Sequence, residues 1–195
     1  MNINTYSGIS TAVSCLATPF HDCLQEAIEE TLRKDSDIQH FPSVIALAIR
    51  SRLCVLLENA DLHGWEVSFT PSRHGHFELR KNGLRLRGLK ECSLGIPPAG
   101  RNPSRQDFYQ PSLFDDGDES HFILSWAWNN DYEITTTRVS HPTEPGKFGK
   151  PVHTDFCMSL MPTTGNVTVG RFDTDDSANV LSFTYEENSY EGRHE

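Results

Sequence analysis

The chain has no long apolar segment, no basic N-terminal region and no paired-cysteine motif. A membrane-spanning helix needs about 18 or more consecutive apolar residues, and no such stretch occurs. Residues 1–20 contain neither Lys nor Arg, so the basic region that opens a secretory signal is missing. The five cysteines are dispersed without a CxxC pair, which favours reduced thiols over a disulfide framework or a zinc knuckle. These absences predict a cytoplasmic protein that makes no membrane contact.

Several catalytic signatures are also missing from the sequence. It contains no phosphate loop of the GxxxxGKS or GxxxxGKT type, and no GxGxxG segment between a strand and a helix. The HExxH and GxSxG motifs are absent as well. Nucleotide hydrolysis, dinucleotide chemistry and the common zinc-protease and serine-hydrolase mechanisms are therefore disfavoured, and we expect no cofactor.

The chain does contain enough apolar residues for a hydrophobic core. Hydrophobic residues make up 36% of its 195 residues, and this length is typical of one domain. We predict a single domain over residues 1–195, with exposed loops at about 92–118 and 140–151, where Pro and Gly are frequent and no periodicity is seen. Residues 1–20 also lack periodicity and are predicted to be irregular.

Helical periodicity is strongest in two segments of the first third of the chain. Apolar residues recur at helical spacing over residues 22–34, where Asp22 is the candidate N-cap. A second, more apolar helix is predicted over residues 42–62, with Pro42 at its first position and Gly64 just beyond its end.

From Trp65 onward the apolar residues recur at every second position, which is typical of strands. The clearest signal is a hairpin in which Phe77–Lys81 and Leu84–Arg87 flank Asn82-Gly83, because Asn-Gly accepts the two positive φ angles of a type I′ turn. Further strand patterns cover residues 121–128, 132–139, 156–160, 166–169 and 180–185. Helices followed by strands predict the α+β class, with two N-terminal helices packed on a mostly antiparallel β-sheet.

Charge is distributed unevenly along the chain. The net charge is −10, but residues 73–109 carry eight basic and three acidic side chains. Strand alternation predicts that Arg80, Arg85 and Arg87 form an exposed stripe beside Glu78. The stripe is either a solvated sheet face or a surface that binds phosphate or an acidic partner. In the second interpretation the binding residues include Arg80, Arg85, Arg87, Lys90 and Arg105.

Histidines supply the candidate catalytic residues. His74 and His76 flank Gly75, and either could act as a base beside the hairpin arginines in a nuclease that needs no metal. The metal-dependent form of a nuclease has less support, because Glu78 and Lys81 are three residues apart and a strand places them on opposite faces. A metal site would require His74 and His76 to meet a second pair of ligands, His153 and Asp155, and nothing in the sequence indicates that the two pairs meet. We therefore expect separate surface histidines and no metal site.

A short motif lies within the predicted loop 92–118. Gln110-Pro111-Ser112-Leu113-Phe114 is followed directly by two aspartates. The pentapeptide resembles the motif by which bacterial replication, repair and regulatory proteins dock on the sliding clamp. The resemblance implies that Leu113 and Phe114 insert into an apolar pocket while Gln110 hydrogen-bonds at its rim. The alternative is that Leu113 and Phe114 fold back onto the domain as a hydrophobic plug.

A wider resemblance covers about a fifth of the chain. The segment 84–90, Leu-Arg-Leu-Arg-Gly-Leu-Lys, is followed by Pro103 and by residues 105–110, Arg-Gln-Asp-Phe-Tyr-Gln. Together they resemble uncharacterised proteins of bacterial prophages and mobile elements. Such proteins are often neighbours of helix-turn-helix regulators fused to zinc-peptidase-like domains, a layout of toxin–antitoxin and phage-defence pairs. The resemblance implies a context for the protein and assigns no residue a role.

These observations predict a macromolecule-binding member of a mobile-element toxin–antitoxin or phage-defence pair, with the basic hairpin face and the loop 92–118 as contact surfaces. We expect a protein partner, either a cognate regulator or antitoxin or the sliding clamp, and nucleic acid is a further candidate partner. The alternative is a nuclease-type toxin. A cleft that gathers His, acidic and basic side chains would favour the nuclease, whereas a flat surface would favour binding.

Overall fold

The computed structural model describes residues 3–70, 75–91, 103–109, 120–144 and 152–162. All of them lie in Met1–Pro162, the first of the two units into which the chain divides. The prediction of one domain over the whole chain includes residues beyond this unit and stays a prediction. None of the described helices is both long and apolar enough to cross a membrane.

The described residues form helices and one sheet. The helices are α1 (Ile3–Ser14), α2 (Ala17–Lys34), a short 3-10 helix (Ser36–His40), α3 (Pro42–Asn59) and α4 (Pro103–Tyr109). The strands are β1 (Glu66–Thr70), β2 (His76–Lys81), β3 (Leu84–Lys90), β4 (Ser120–Trp128), β5 (Ile134–Pro142) and β6 (Thr154–Ser159). The six strands lie side by side in chain order, and every neighbouring pair is antiparallel except β3 and β4. The predicted α+β class is confirmed.

The N-terminal segment is helical, so the prediction that it is irregular was wrong. Its Ser and Thr residues are weak helix formers, but Ile9 and Val13 lie one turn apart and are both buried in the core. Burial of an apolar face stabilises a helix that propensity alone does not. The second helix begins at Ala17, before the predicted start, and includes the fully buried Phe20. Asp22 therefore lies inside α2 and does not cap it.

Aromatic rings join α2 to one side of the sheet. The ring centroid of Phe20 lies 6.5 Å from that of Phe77 on β2 and 5.9 Å from that of Trp126 on β4. Phe77 and Trp126 stack at 5.8 Å. Gly88 permits this arrangement, because a Cβ atom there would lie 2.1 Å from the Phe77 ring. This apolar side of the sheet holds the larger hydrophobic cluster, and β2 to β5 turn most of their polar residues to the opposite side.

Two predicted loops contain regular structure. The predicted loop 92–118 includes α4, whose Phe108 and Tyr109 are buried. The predicted loop from residue 140 begins inside a strand, because β5 continues to Pro142 and His141 pairs with Phe156 of β6. The predicted strands at 166–169 and 180–185 lie outside the described residues.

Candidate functional site

The hairpin formed by β2 and β3 has the predicted turn and register. Asn82 and Gly83 have φ angles of +48° and +75°, which are those of a type I′ turn. Arg80 pairs with Arg85, and Glu78 pairs with Arg87. Because alternate strand residues share a face, these four side chains lie on the polar side of the sheet. The prediction that they share one face is confirmed.

Glu78 is the centre of an ion-pair cluster on this side. Its carboxylate lies 2.7 Å from Nε of Arg85, and it also accepts a hydrogen bond of 3.3 Å from Arg80. Nε2 of His76 lies 3.6 Å from the same carboxylate. Burial acts to raise the pKa of Glu78, but the hydrogen bonds and charges of Arg85, Arg80 and His76 outweigh it and lower the pKa. Glu78 therefore remains ionised.

Helix α4 covers part of the hairpin, so the prediction of a fully exposed arginine stripe was wrong. The Cζ atoms of Arg85 and Arg87 each lie 5.5 Å from the centre of the Phe108 ring. Arg87 also donates a 2.8 Å hydrogen bond to the backbone oxygen of Ser104. As a result Arg87 is only 6% exposed, Arg85 is half-buried, and Arg80 alone is exposed.

Two further arginines lie near Arg87. Arg105, which was predicted to belong to the basic surface, follows Ser104 on α4, and the backbone oxygen of Ser104 accepts a hydrogen bond from Arg87. Its positive charge lowers the pKa of Arg87, which burial already lowers. The same charge lowers the pKa of Arg50 on α3, again after burial as the larger cause. Arg50 was not predicted, because no local pattern relates residues of a helix and a hairpin that lie far apart in the chain.

We use the name arginine face for the surface formed by Arg50, Arg80, Arg85, Arg87 and Arg105 together with Glu78. Lys90 does not belong to it. Strand parity places Lys90 on the apolar side of the sheet, where its Nζ lies 4.5 Å from the centre of the Trp128 ring. Lys90 lies three positions after Arg87, and a strand turns such residues to opposite faces, so Lys90 does not share a face with the hairpin arginines.

His76 lies at the edge of the arginine face and is largely buried, beside Glu78. The other catalytic candidate, His74, lies outside the described residues. A further histidine, His121, was not singled out by the sequence. Its ring stacks on Phe108 at 4.8 Å and its Nδ1 lies 3.1 Å from the Phe108 backbone oxygen, so it supports α4.

A second buried carboxylate, Glu91, lies on the polar side of the sheet. Ser125 donates a 2.6 Å hydrogen bond to it, and Nε of Arg138 lies 2.7 Å away. Here burial outweighs both partners and raises the pKa of Glu91. The nearby Cys157 thiol also has a raised pKa, chiefly because it is buried. This cluster is internally paired and offers no excess charge.

A third polar cluster lies between α1 and the far edge of the sheet. Nδ1 of His141 lies 2.6 Å from a carboxylate oxygen of Asp155. Burial, followed by a hydrogen bond with Asp155, raises the pKa of Tyr6 to about 12. The ring of Tyr6 stacks on Phe156 at 5.2 Å, and that of His141 lies 5.1 Å from Phe122. The contacts of Tyr6 attach α1 to β6, and the pair of His141 and Asp155 joins β6 to β5.

The remaining predicted sites can be placed only in part. Gln110, Leu113 and Phe114 lie outside the described residues, so the clamp-binding motif stays a prediction. Within the parts of the chain that the structure describes, no three His, Cys, Asp or Glu side chains are close enough together to hold a metal ion. Comparisons with protein-family models, with curated proteins and with solved structures give no match.

Proposed function

We propose that the chain binds nucleic acid through the arginine face, as one member of a bacterial mobile-element toxin–antitoxin or phage-defence pair. The observation that carries the binding proposal is the grouping of several arginines around a single buried carboxylate, Glu78. Membership in a pair is supported by the resemblance of residues 84–90 and 105–110 to mobile-element proteins. In this proposal the N-terminal helices cover the apolar side of the sheet and leave the polar side for recognition.

Arginine suits this role for geometric reasons. Its planar guanidinium presents five donors in a fixed arrangement that matches two phosphate oxygens at once. Glu78 holds Arg85 and Arg80 in place, so these two side chains lose little additional freedom on binding. A nucleic acid that contacts them exchanges small cations for fixed arginines, and this release favours binding.

The rest of the chain limits the contact to a small area. With a net charge of −10, the molecule repels nucleic acid wherever the arginine face is not in contact. We therefore expect moderate affinity at low salt, steep weakening as salt rises, and little preference for sequence, since phosphate contacts carry no base information.

The test is fluorescence anisotropy with short labelled RNA, single-stranded DNA and duplex DNA at about 50 mM salt and above. Loss of one charged contact in Arg105→Ala should weaken binding about tenfold. The slope of log K against log salt should become shallower by about 1.

Arg33→Ala is the matched control. Arg33 is an exposed arginine on α2, and its ion pair with Glu30 is 3.6 Å long. Its loss should change the affinity by less than about twofold. The proposal fails if the wild type binds none of the three nucleic acids at low salt, or if Arg33→Ala weakens binding as much as Arg105→Ala. Binding of an acidic protein in place of nucleic acid would also contradict it.

The position of His76 favours a second candidate function, cleavage of RNA without a metal. Nε2 of His76 lies 3.6 Å from the carboxylate of Glu78, and Nε of Arg85 lies 2.7 Å from the same carboxylate. In this mechanism His76 accepts the proton of a 2′-hydroxyl while that oxygen forms a bond to phosphorus and the bond from phosphorus to the 5′-oxygen breaks. The 5′-oxygen takes a proton from water and leaves as an alcohol, and the other product is a 2′,3′-cyclic phosphate. A fluorogenic RNA should then be cleaved by the wild type and not by His76→Gln, which should still bind RNA. No cleavage by the wild type would refute this candidate.

A further inference from the structure

One part of the arginine face brings three guanidinium groups together beneath α4. Arg87 comes from β3, Arg105 from α4 and Arg50 from α3. Gly75, next to His76, makes the approach of α3 close: a Cβ atom there would lie 3.2 Å from Cγ of Arg50. Arg87 donates a 2.8 Å hydrogen bond to the backbone oxygen of Ser104, the residue directly before Arg105 on α4. The charge of Arg105 acts on both Arg50 and Arg87. Three elements that are distant in sequence thus meet at one point.

Buried donors at this point lack partners. Arg87 is 6% exposed, and its Nε has no hydrogen-bond partner among the described residues. Nε of Arg50 and the hydroxyl of Tyr109 likewise have no hydrogen-bond partner among the described residues. Tyr109 as a whole is 1% exposed. The charges of Arg105 and Arg87 act on that hydroxyl, which places it beside them. A buried donor without an acceptor destabilises the fold, and a charged donor does so more strongly.

An anion would satisfy these donors of Arg87, Arg50 and Tyr109. A carboxylate offers two oxygens and one negative charge. A phosphate group offers more oxygens, and in its terminal form nearly two charges, so it can contact several guanidinium groups and a hydroxyl together. Partly buried sites strengthen such contacts, because water screens them less.

We infer that Arg50, Arg87, Arg105 and Tyr109 form a binding site for a single phosphate group of the nucleic acid proposed above. This inference rests on the proposed function for the source of the phosphate. The site requires α3 as well as the hairpin and α4, and Arg50 is therefore a binding residue. The phosphate is either an internal phosphodiester or a terminal phosphomonoester.

Thermal unfolding with inorganic phosphate tests the site without any nucleic acid. A ligand that binds only the folded state raises the unfolding midpoint in a saturable way. We expect phosphate to raise the midpoint by about 3 °C, and chloride at equal ionic strength to raise it by less than 1 °C. Arg50→Gln and Arg105→Gln should lose this shift. Arg33→Gln, the matched control on α2, should keep it.

Arg50→Gln is the informative variant, because Arg50 is half-buried and its replacement leaves the hydrogen bond between Arg87 and Ser104 in place. No phosphate shift in the wild type would overturn the site, and so would a shift that Arg50→Gln retains. Anisotropy with oligonucleotides that carry or lack a 5′-phosphate distinguishes the source: a terminal-phosphate site requires about tenfold tighter binding of the phosphorylated form, and an internal-phosphodiester site requires equal binding.

The failures of this site and of the proposed function are distinguishable. Nucleic-acid binding that Arg105→Ala weakens and Arg50→Gln leaves unchanged would overturn the phosphate site and support the proposed function. A phosphate shift that depends on Arg50, in a protein that binds no oligonucleotide, would support the site and overturn nucleic acid as its ligand.

Discussion

Glu78 and Glu91 lie on the same side of the sheet, and each has an arginine Nε at 2.7 Å, yet their pKa values shift in opposite directions. Glu78 has two arginines and His76 around it, and their hydrogen bonds and charges overcome burial. Glu91 has Arg138 and Ser125, and its side chain is 1% exposed against 9% for Glu78. The distance within an ion pair therefore does not determine whether the pKa of the carboxyl group rises or falls. The direction depends on whether the nearby cations and hydrogen bonds stabilise the carboxylate by more than burial destabilises it.

This difference separates the region for which we propose binding from a structural one. Around Glu78, arginines outnumber carboxylates among the described residues. Around Glu91, one arginine and one hydroxyl match one carboxylate, so the cluster is complete. We propose functions for the first region and none for the second on this ground.

The largest expected effect comes from Glu78→Gln. Removal of this charge leaves Arg85 and Arg80 without their carboxylate, and breaking a largely buried ion-pair cluster costs about 3 kcal/mol. Glu91→Gln should cost about 1 kcal/mol, because a neutral side chain suits that site better. Urea unfolding at neutral pH measures both values. Equal losses of unfolding free energy in the two variants would contradict the distinction between the region around Glu78 and the region around Glu91.

Phe108→Ala tests whether α4 is what buries the hairpin arginines. Loss of the Phe108 ring removes the contacts with Arg85, Arg87 and His121, and we expect a loss of about 2–3 kcal/mol in unfolding free energy. Phe41→Ala is the matched control, because Phe41 is 59% exposed and its replacement should cost less than about 0.5 kcal/mol. A loss no larger than the control's would mean that α4 contributes little to this side of the sheet.

Ser125→Ala removes a hydrogen-bond donor from Glu91 alone. We expect a loss of about 1 kcal/mol and a further rise in the pKa of Glu91, since the hydroxyl stabilises the ionised form. Titration of the Glu91 carboxyl by NMR in the wild type and the variant measures the rise. An unchanged pKa would show that the hydroxyl does not favour the ionised state.

The smallest expected effect is on the pH dependence of stability. The lowered pKa of Glu78 contributes stability that is present above its ordinary value of 4.5 and is lost as pH falls through the folded-state value. The raised pKa of Glu91 has the opposite sign: its contribution is present below 4.5 and is lost as pH rises through the folded-state value. Between pH 3 and 7, Glu78→Gln should therefore flatten the loss on acidification, and Glu91→Gln should remove the loss on raising the pH. The comparison would be contradicted if both substitutions changed the slope of stability against pH in the same direction.

Local patterns predicted the hairpin well and the helices less well. The turn at Asn82-Gly83 depends on backbone angles that few other residue pairs adopt, so the register followed from the sequence. The first helix was missed because its stability comes from burial of Ile9 and Val13, which Ser and Thr residues obscure. Helix α4 was missed because Phe108 and Tyr109 become buried only when they contact the sheet.

The sequence by itself determined which side chains share a face of the hairpin, because alternation along a strand and the Asn-Gly turn leave one register. It therefore placed Glu78, Arg80, Arg85 and Arg87 together. Only the tertiary structure decided that α4 lies across these arginines, that Arg50 joins them from α3, and that Lys90 does not. Burial and mutual repulsion depend on contacts between segments far apart in the chain, and no local pattern records such contacts.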